Sequence, residues 1–556
     1  MTLVHAMCAG LLPGASPRVG LSRVRWACVR LGLAVLLLIG WGVALPAGAA
    51  DAEGLVVYPA VPGLAASGHY TVRVRPLGEG PGGGGDWRSA FVWESACKAQ
   101  AKGEDGYFQH LAGWTHSYVN FEAAGPVEVE LARVNGQPIR SAAVHPRRNA
   151  AACVVEGGGA RVRLDKPCLV AVDIDGQMDG QDTGKGYAGP AIHTISLYAN
   201  PPVVDKPRLD DPGVRVVRPG EAPPSDGPWK TLYFMPGVHD VGMGYQLRDN
   251  RSYYIPGDAM VYGTFSSPRW GDGEGIRIHG LGTLSGARLK HPKHIRPAVP
   301  ESDYHRYRPI NIKGAADVRV EGVTIADSAF HSVMLMNGYL EGRPNEVRWV
   351  KIITWRANGD GINPFGNTRV EDCFIRTQDD SLYVNGLGIR RVVLWNDANG
   401  SSFVLSSVRH LGGRRLVVED CDVIYSRAAW HRWSGGRVFN MRAESDGVGG
   451  AEVIFRDIRI EDPRPTLQQF FLCMELPREY SKQGERSGPG DLTGVVFQNI
   501  SIAAPSVLGE PQLLWGHAAA RVRKLSFENL TVGGKPVRDA GFFKTNEFVE
   551  GLRFLP

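Results

Sequence analysis

The sequence holds little of what would staple, span or strongly charge a protein. Eight cysteines in 556 residues are too few for a disulfide scaffold. Amphipathic helical patterns are nearly absent, which excludes helical bundles and solenoids. Charge of one sign is scarce too: 62 Lys+Arg stand against 57 Asp+Glu, a formal net charge of +5. Charged residues make up 21% and hydrophobic residues 43%, a globular balance that excludes global disorder. Glycine is the one excess, 70 residues or roughly 12.6% against a usual 7%. These glycines have no three-residue period, so collagen is excluded.

There is one long apolar run, Leu31–Leu45, and it has a context. Residues 1–50 carry Arg18, Arg23, Arg25 and Arg30 and no acid, and the run exits through Pro46-Ala47-Gly48-Ala49-Ala50. A basic start, a short apolar stretch and a small-residue exit form a secretory signal peptide. The run is about 15 residues, and a bilayer span needs about 20. Cleavage near Ala49 and a secreted or periplasmic protein are therefore expected. Without these residues the balance is 58 to 57, a net of +1. The basic excess belongs to the export segment and argues for no nucleic-acid partner, and no membrane association is expected after cleavage.

Residues 51–200 read as short strands alternating apolar and polar residues, among them those beginning at Tyr70, Ser117, Val127, Ala160 and Leu169. Val127, Val129 and Leu131 face one side, and Glu128 and Glu130 the other. An N-terminal β-sandwich is expected. Cys153 and Cys168 flank one hairpin, and an exported protein could bridge them. Residues 201–229, rich in Pro and Asp, read as a linker.

From residue 230 to 556 a unit recurs: apolar, any, often Asp/Asn/Gly, apolar, any, apolar. Examples are Val320–Ile325, Val370–Ile375, Val418–Val423, Phe455–Ile460, Phe497–Ile502 and Phe527–Val532. Taking Leu281, Val323, Ile352, Cys373, Val392, Cys421, Ile458, Ile500 and Leu530 as equivalent gives steps of 19 to 42 residues. Such steps predict an all-β chain ending in a right-handed parallel β-helix, with glycine, Asn and Asp at its corners. Cys373 and Cys421 lie two coils apart, about 9.6 Å at a coil spacing of about 4.8 Å. That is beyond disulfide reach, so both read as buried thiols. No metal-ligand spacing surrounds them.

One strip departs from the repeat. Trp355-Arg-Ala-Asn358-Gly359-Asp360-Gly361 is followed by Thr377-Gln378-Asp379-Asp380-Ser381-Leu382-Tyr383. Asp360, Asp379 and Asp380 fall at near-equivalent places on consecutive coils. Adjacent Asp residues on a regular strand point apart, so joint action needs a bend. Acid-catalysed cleavage of a glycosidic bond uses one protonated carboxyl and one ionised carboxylate, and crowding of like charges helps retain the proton. Asp and Asn also cap β-helix turns, the reading given to Asp372 and Asp420. The Asp-Gly and Asp-Asp pair one coil apart is more specific.

These motifs resemble the clan of inverting glycoside hydrolases that includes polygalacturonases. The Gly-His-Gly and Arg-Ile-Lys of polygalacturonases are missing, and Ser401 stands in the histidine place. Trp114–Glu122, Gly125–Glu130 and Pro236-Gly237-Val238-His239 are similar to glycoside hydrolase family 49, the dextranases and isopullulanases. That resemblance implies a β-sandwich joined to a β-helix, Asp379 as general acid, and Asp360 and Asp380 holding and activating water. Departures are Gln378, where the family carries Asn, and Tyr383 with Val384, where a basic residue often stands.

Sugar contacts are expected from Trp355, Asn358, Gln378, Tyr383 and Trp395 on the Asp strip. Arg427, Trp430 and Trp433 in a later loop join them. The expectation is a monomeric, secreted hydrolase of an α-glucan, dextran-like or pullulan-like, needing no metal or cofactor. A polygalacturonase-like hydrolase, a polysaccharide lyase on the same β-helix and a non-catalytic glycan-binding protein are the alternatives.

Overall fold

The structure is a computed structural model. It describes residues 54–78, 84–99, 105–178, 191–267, 273–336, 343–405, 414–426, 437–441, 452–462, 469–473, 491–503, 512–516, 518 and 521–556. The export segment 1–50 and the loop bearing Arg427, Trp430 and Trp433 lie outside the described residues.

The N-terminal region forms two sheets over one core. The first orders strands Leu55–Val57, Thr115–Ala123, His193–Asn200, Cys168–Ile174 and Ala142–His145, with Trp93–Ala96 also paired to Thr115–Ala123. The second orders Arg88–Ala90, Tyr70–Pro76, Val127–Arg133, Gly159–Leu164 and Ala152–Glu156. Val127, Val129 and Leu131 point into the shared core with Val72, Val74, Val119 and Leu197. Glu128 and Glu130 point outward and pair with Arg75 and Arg73 across the ladder. Cys153 and Cys168 are free thiols, each turned to a different carbonyl, that of Ala142 and that of Asn149.

Two strands depart from the expected alternation. Thr115–Ala123 and Cys168–Ile174 are buried at every position. One face of their sheet covers the other sheet. The opposite face lies on the β-helix, where Trp114, Tyr118, Leu169 and Tyr198 pack with Ile353, Trp355, Phe374, Val393, Trp395 and Tyr425. A strand buried on both sides has no reason to alternate.

The rest is a right-handed parallel β-helix built on three ladders. One ladder stacks Arg319–Glu321, Asn345–Arg348, Thr368–Glu371 and Gly388–Arg390. The second stacks Thr324–Ala326, Lys351–Ile353, Phe374–Thr377 and Val393–Asn396, and its outer face meets the N-terminal sheet. The third stacks Ile310–Lys313, Val333–Met336, Ile362–Asn363, Leu382–Tyr383 and Phe403–Leu405. Inside, residues of one kind pile on themselves. Phe455, Phe497, Phe527 and Phe554 stack with ring centroids 5.2 Å apart, close to the spacing of parallel strands.

The ladders correct the repeat register. Thr324 pairs with Lys351, so Val323 lies over Val350 rather than Ile352. Thr283 pairs with Thr324, which sets Gly282 rather than Leu281 in that row. From Val323 onward the residue before each member of this row sits in the left-handed region: Gly322, Trp349, Asp372, Arg391, Asp420, Asp457, Asn499 and Asn529. Asp372 and Asp420 are corner residues, as expected, but glycine fills this recurring corner only at Gly322 among those eight. Short polar side chains that tolerate left-handed angles do the rest, with Trp349 and Arg391 held there by context. The segment 201–229 is also more than a connection, because Val214–Val217 pairs in parallel with Thr231–Phe234 and opens the helix.

Where the two regions meet, Lys351 is fully buried. Its Nζ donates to Asn200 Oδ1 at 2.8 Å and to the Gly322 carbonyl. Burial pushes its pKa down to about 7, whereas a lysine in the unfolded chain holds its proton to about 10.4. Between those values the unfolded chain binds the extra proton, so this group makes stability rise with pH. Below about 7 both states carry the proton and the contribution is flat. The expected slope is up to about 1.4 kcal/mol per pH unit above pH 7. Urea midpoints at pH 7 and 9, in wild type and Lys351→Met, check this: the variant loses the rise, and equal rises in both would refute it.

Candidate active site

The chain bends at Gln378–Asp379, between the second and third ladders. That bend lets neighbouring aspartates serve one face. The register of the third ladder pairs Ile362 with Leu382. Counting back two residues puts Asp360 under Asp380, and Gly359, not an acid, under Asp379. Asp360 and Asp380 are each only 4% exposed, while Asp379 is half-buried.

Each carboxylate is held by donors. Asp379 Oδ2 accepts the Asn358 backbone N–H at 2.8 Å and the Asn399 side-chain amide at 2.9 Å. Its Oδ1 accepts the Asp380 N–H at 3.0 Å. Asp380 Oδ1 accepts the Ser401 N–H at 3.0 Å. The Tyr383 hydroxyl donates to Asp360 Oδ2 at 2.7 Å and lies 3.2 Å from Asp380 Oδ2. The three acids named in the sequence are thus joined in one network reaching over three coils. Gly400 closes it from the next coil: a Cβ there would sit 2.2 Å from the Asp379 carbonyl carbon and the Asp380 nitrogen. Only glycine permits that approach, and its φ of 77° suits glycine as well.

Two residues belong to this network that composition and motif did not single out. Arg308 and His331 stand two residues before Ile310 and Val333, the same place that Asp360 and Asp380 hold on later coils. His331 Nδ1 is 3.4 Å from Asp360 Oδ2. Burial, then Arg308 and Lys293, hold this imidazole well below its ordinary pKa, which favours its neutral form. Burial also lowers Arg308, while Asp360 and Tyr383 favour its charge. The signal that finds both is the ladder register, not the local sequence.

Three expected sugar contacts are corrected. Trp355 and Trp395 are fully buried under the N-terminal sheet. Trp355 Nε1 donates to Ser95 Oγ at 2.8 Å and Trp395 Nε1 to Asp397 Oδ1 at 2.6 Å. Between their rings lies the Arg376 guanidinium, 4.5 Å and 4.2 Å from the two centroids. Arg376 Nε donates to Asp397 Oδ2 at 2.9 Å, and Nη1 to His116 Nδ1 and Thr194 Oγ1 of the N-terminal sheet. Gln378, also buried, donates to the same Asp397 oxygen at 2.9 Å. These residues form the floor behind the acids. Of the expected contacts among the described residues, Asn358 and Tyr383 are at the carboxylates themselves. Among the described residues no cluster of His, Cys, Asp and Glu could hold a metal ion, and no helix is long and apolar enough to cross a membrane.

No protein-family profile matches the chain. In sequence it is similar to a dextranase of Arthrobacter globiformis, 23% identical over 371 residues, 56% of this chain and 56% of that protein. A dextranase of Arthrobacter sp. (strain CB-8) matches to the same extent. The chain therefore spans about half the length of the curated relatives it matches. In fold it is similar to Dex49A from Penicillium minioluteum, with a TM-score of 0.67 over 90% of this chain and 98% of that one, at 14% identity. The chain is thus similar to dextranases in sequence and to Dex49A in fold.

The floor yields a stability prediction. Arg376 and Asp397 are a buried pair, 0% and 1% exposed. Arg376→Met leaves Asp397 buried without its guanidinium, and the expected loss is about 3–5 kcal/mol. Arg376→Met with Asp397→Leu removes both charges and is expected to recover part of that loss. Denaturation midpoints compare the three proteins, and a single variant as stable as wild type would refute the pair's role.

Proposed function

We infer that the chain is an exported glycoside hydrolase that cleaves an α-glucan with inversion, α-1,6-linked dextran being the first substrate to try and pullulan the second. The observation that carries this reading is the convergence of Asp360, Asp379 and Asp380 from consecutive coils onto one network. The named activity of the two curated relatives and the likeness to Dex49A support it. Export rests on the pattern of residues 1–50.

On this reading Asp379 gives its proton to the leaving oxygen, and Asp360 and Asp380 hold water and take its proton. The burial pattern suits these roles. The acid that must reach the scissile bond is the half-exposed one, and the two that hold a small water are the buried ones. Two forces act on the Asp379 proton. Among the described residues three N–H donors favour its loss, and repulsion from the neighbouring acids favours its retention. The environment also suits a neutral sugar. Ser401 replaces the histidine expected of a polygalacturonase, and the mature chain carries a net of only +1.

Asp379→Asn keeps the shape and removes the proton. Hydrolysis of dextran is expected to fall by about a thousandfold or more, with the unfolding temperature near that of wild type. Reducing-sugar release on dextran, pullulan and galacturonan measures the first, and NMR of the fresh product gives the anomer. A β product from an α linkage is the expected outcome of inversion. An α product would refute inversion, and near-normal turnover by the variant would refute the acid.

A further inference from the structure

The third ladder sets one side chain per coil in rows. Ile310, Val333, Ile362, Leu382 and Phe403 pair in register on successive coils. Two residues before each stand Arg308, His331, Asp360, Asp380 and Ser401. This row runs from an arginine through a histidine to two acids and then to a serine. One residue after each stand Asn311, Met334, Asn363, Tyr383 and Val404. Tyr383 reaches from the second row back into the first, and its hydroxyl meets carboxylates on two different coils.

A phenol has one proton to give. With Asp360 Oδ2 at 2.7 Å and Asp380 Oδ2 at 3.2 Å, the hydroxyl can donate fully to one carboxylate at a time, so the two acids share a single donor. Both are also too buried for water to screen them, at 4% exposed each. A tyrosine serving as a sugar platform would lay its ring open to solvent. This ring is half-buried and its hydroxyl is committed to the acids.

We propose that Tyr383 is a positioning residue that couples Asp360 and Asp380 into one proton-accepting unit. The proposal rests on the hydrolase reading for its catalytic consequence, though not for the coupling itself. As the water oxygen bonds to the anomeric carbon and the bond to the leaving oxygen breaks, one water proton passes to the Asp360–Asp380 pair. Asp379 protonates the leaving oxygen. Tyr383 keeps its own proton throughout and shifts its hydrogen bond within the pair.

Among the described residues, groups facing the pair include Arg308 and His331 from the preceding coils, Asp379 from the same coil and Ser401 from the next. Lys293 acts on His331. A hydrogen bond to a carboxylate favours the ionised form, so the hydroxyl stabilises the pair most where the pair is ionised. Tyr383→Phe removes that hydroxyl and little else. Relative to wild type, the variant is then penalised where the pair is ionised and less so where it is protonated.

Unfolding temperatures of wild type and Tyr383→Phe between pH 4.5 and 7.5 read this without any activity. The variant's deficit is expected to grow as pH rises. A deficit that is absent, or constant with pH, would overturn the coupling. So would a slope that disappears in a His331→Gln background, since that would trace it to the imidazole. With dextran as substrate, the acidic limb of kcat/KM is expected to move up by about one pH unit. kcat is expected to fall about ten- to a hundredfold, with KM changed less than about threefold. A raised KM with an unmoved acidic limb would assign Tyr383 to the sugar and overturn the proposal. If wild type cleaves none of the glucans while the deficit still grows with pH, the glucan reading fails and the coupling stands.

Discussion

Repulsion among like charges is the constraint on which the site depends. A β-helix stacks equivalent residues about 4.8 Å apart, so acids on consecutive coils are forced into proximity. Two unit charges at about 5 Å in a medium of effective dielectric near 20 repel by about 3 kcal/mol. Asp360 and Asp380 occupy such a place, and Asp379 adjoins them. The structure answers with donors: the N–H groups of Asn358, Asp380 and Ser401, the Asn399 amide and the Tyr383 hydroxyl. These donors cost the fold something in return, because each must be aimed. The bend at Gln378, the left-handed turn at Asn358 and the bare Gly400 are the means of aiming them.

Aim requires a floor that does not move, and the floor is built jointly by the two regions. Arg376 lies between two indole rings, bound to Asp397 below and to His116 and Thr194 of the N-terminal sheet. Thr377 follows it directly and donates to the Asp379 carbonyl at 2.8 Å. The side-chain amide of Asn396, next to Asp397, donates to the same carbonyl at 2.9 Å. A displacement of the N-terminal sheet would therefore reach the acids through two residues of chain. The outer face of the second ladder, with Phe374, Trp355 and Trp395, is too apolar to stand in water. Covering it is what the N-terminal region does for the helix, and holding the acids follows from covering it.

Much of this is legible in the sequence. The Val-Glu-Asp-Cys pattern announces the coils, and the Asp-Gly and Asp-Asp pair announces the acids. Asp372 and Asp420 read correctly as corners because Asp accepts left-handed angles. Other features are not legible, for definable reasons. Ile352 was matched to Val323 because both are apolar and near a turn, and only the hydrogen-bonded ladder shows that Val350 is the partner. Trp355 and Trp395 point out of their coils, as sugar platforms do. A coil's own sequence does not record that another sheet covers that face. The same cover hides the alternation of Thr115–Ala123. Arg308 and His331 look like isolated cations until the register sets them in line with the acids. Cys153 and Cys168 are close along one hairpin, yet their sulfurs turn to different carbonyls.

The proton inventory ties these levels together. An inverting hydrolase must give one proton and take one in each turnover, so its acids must differ in proton affinity although they are chemically alike. If this chain is such a hydrolase, the difference comes from the surroundings of its acids. Asp379 is the more exposed and has three N–H donors, while Asp360 and Asp380 are the more buried and share a phenol. Donors favour the ionised form, and burial and crowding favour the protonated one. The neighbouring coils add a graded field, with Arg308 two coils and His331 one coil before Asp360. That gradient runs along the helix axis. It therefore acts more strongly on Asp360 than on Asp380, one coil further on. On the hydrolase reading, asymmetry within the shared pair would let a single water be held by two carboxylates and deprotonated by one. In this fold it follows from the order of residues along a ladder, Arg, His, Asp, Asp, Ser, and from the tyrosine that reaches across it.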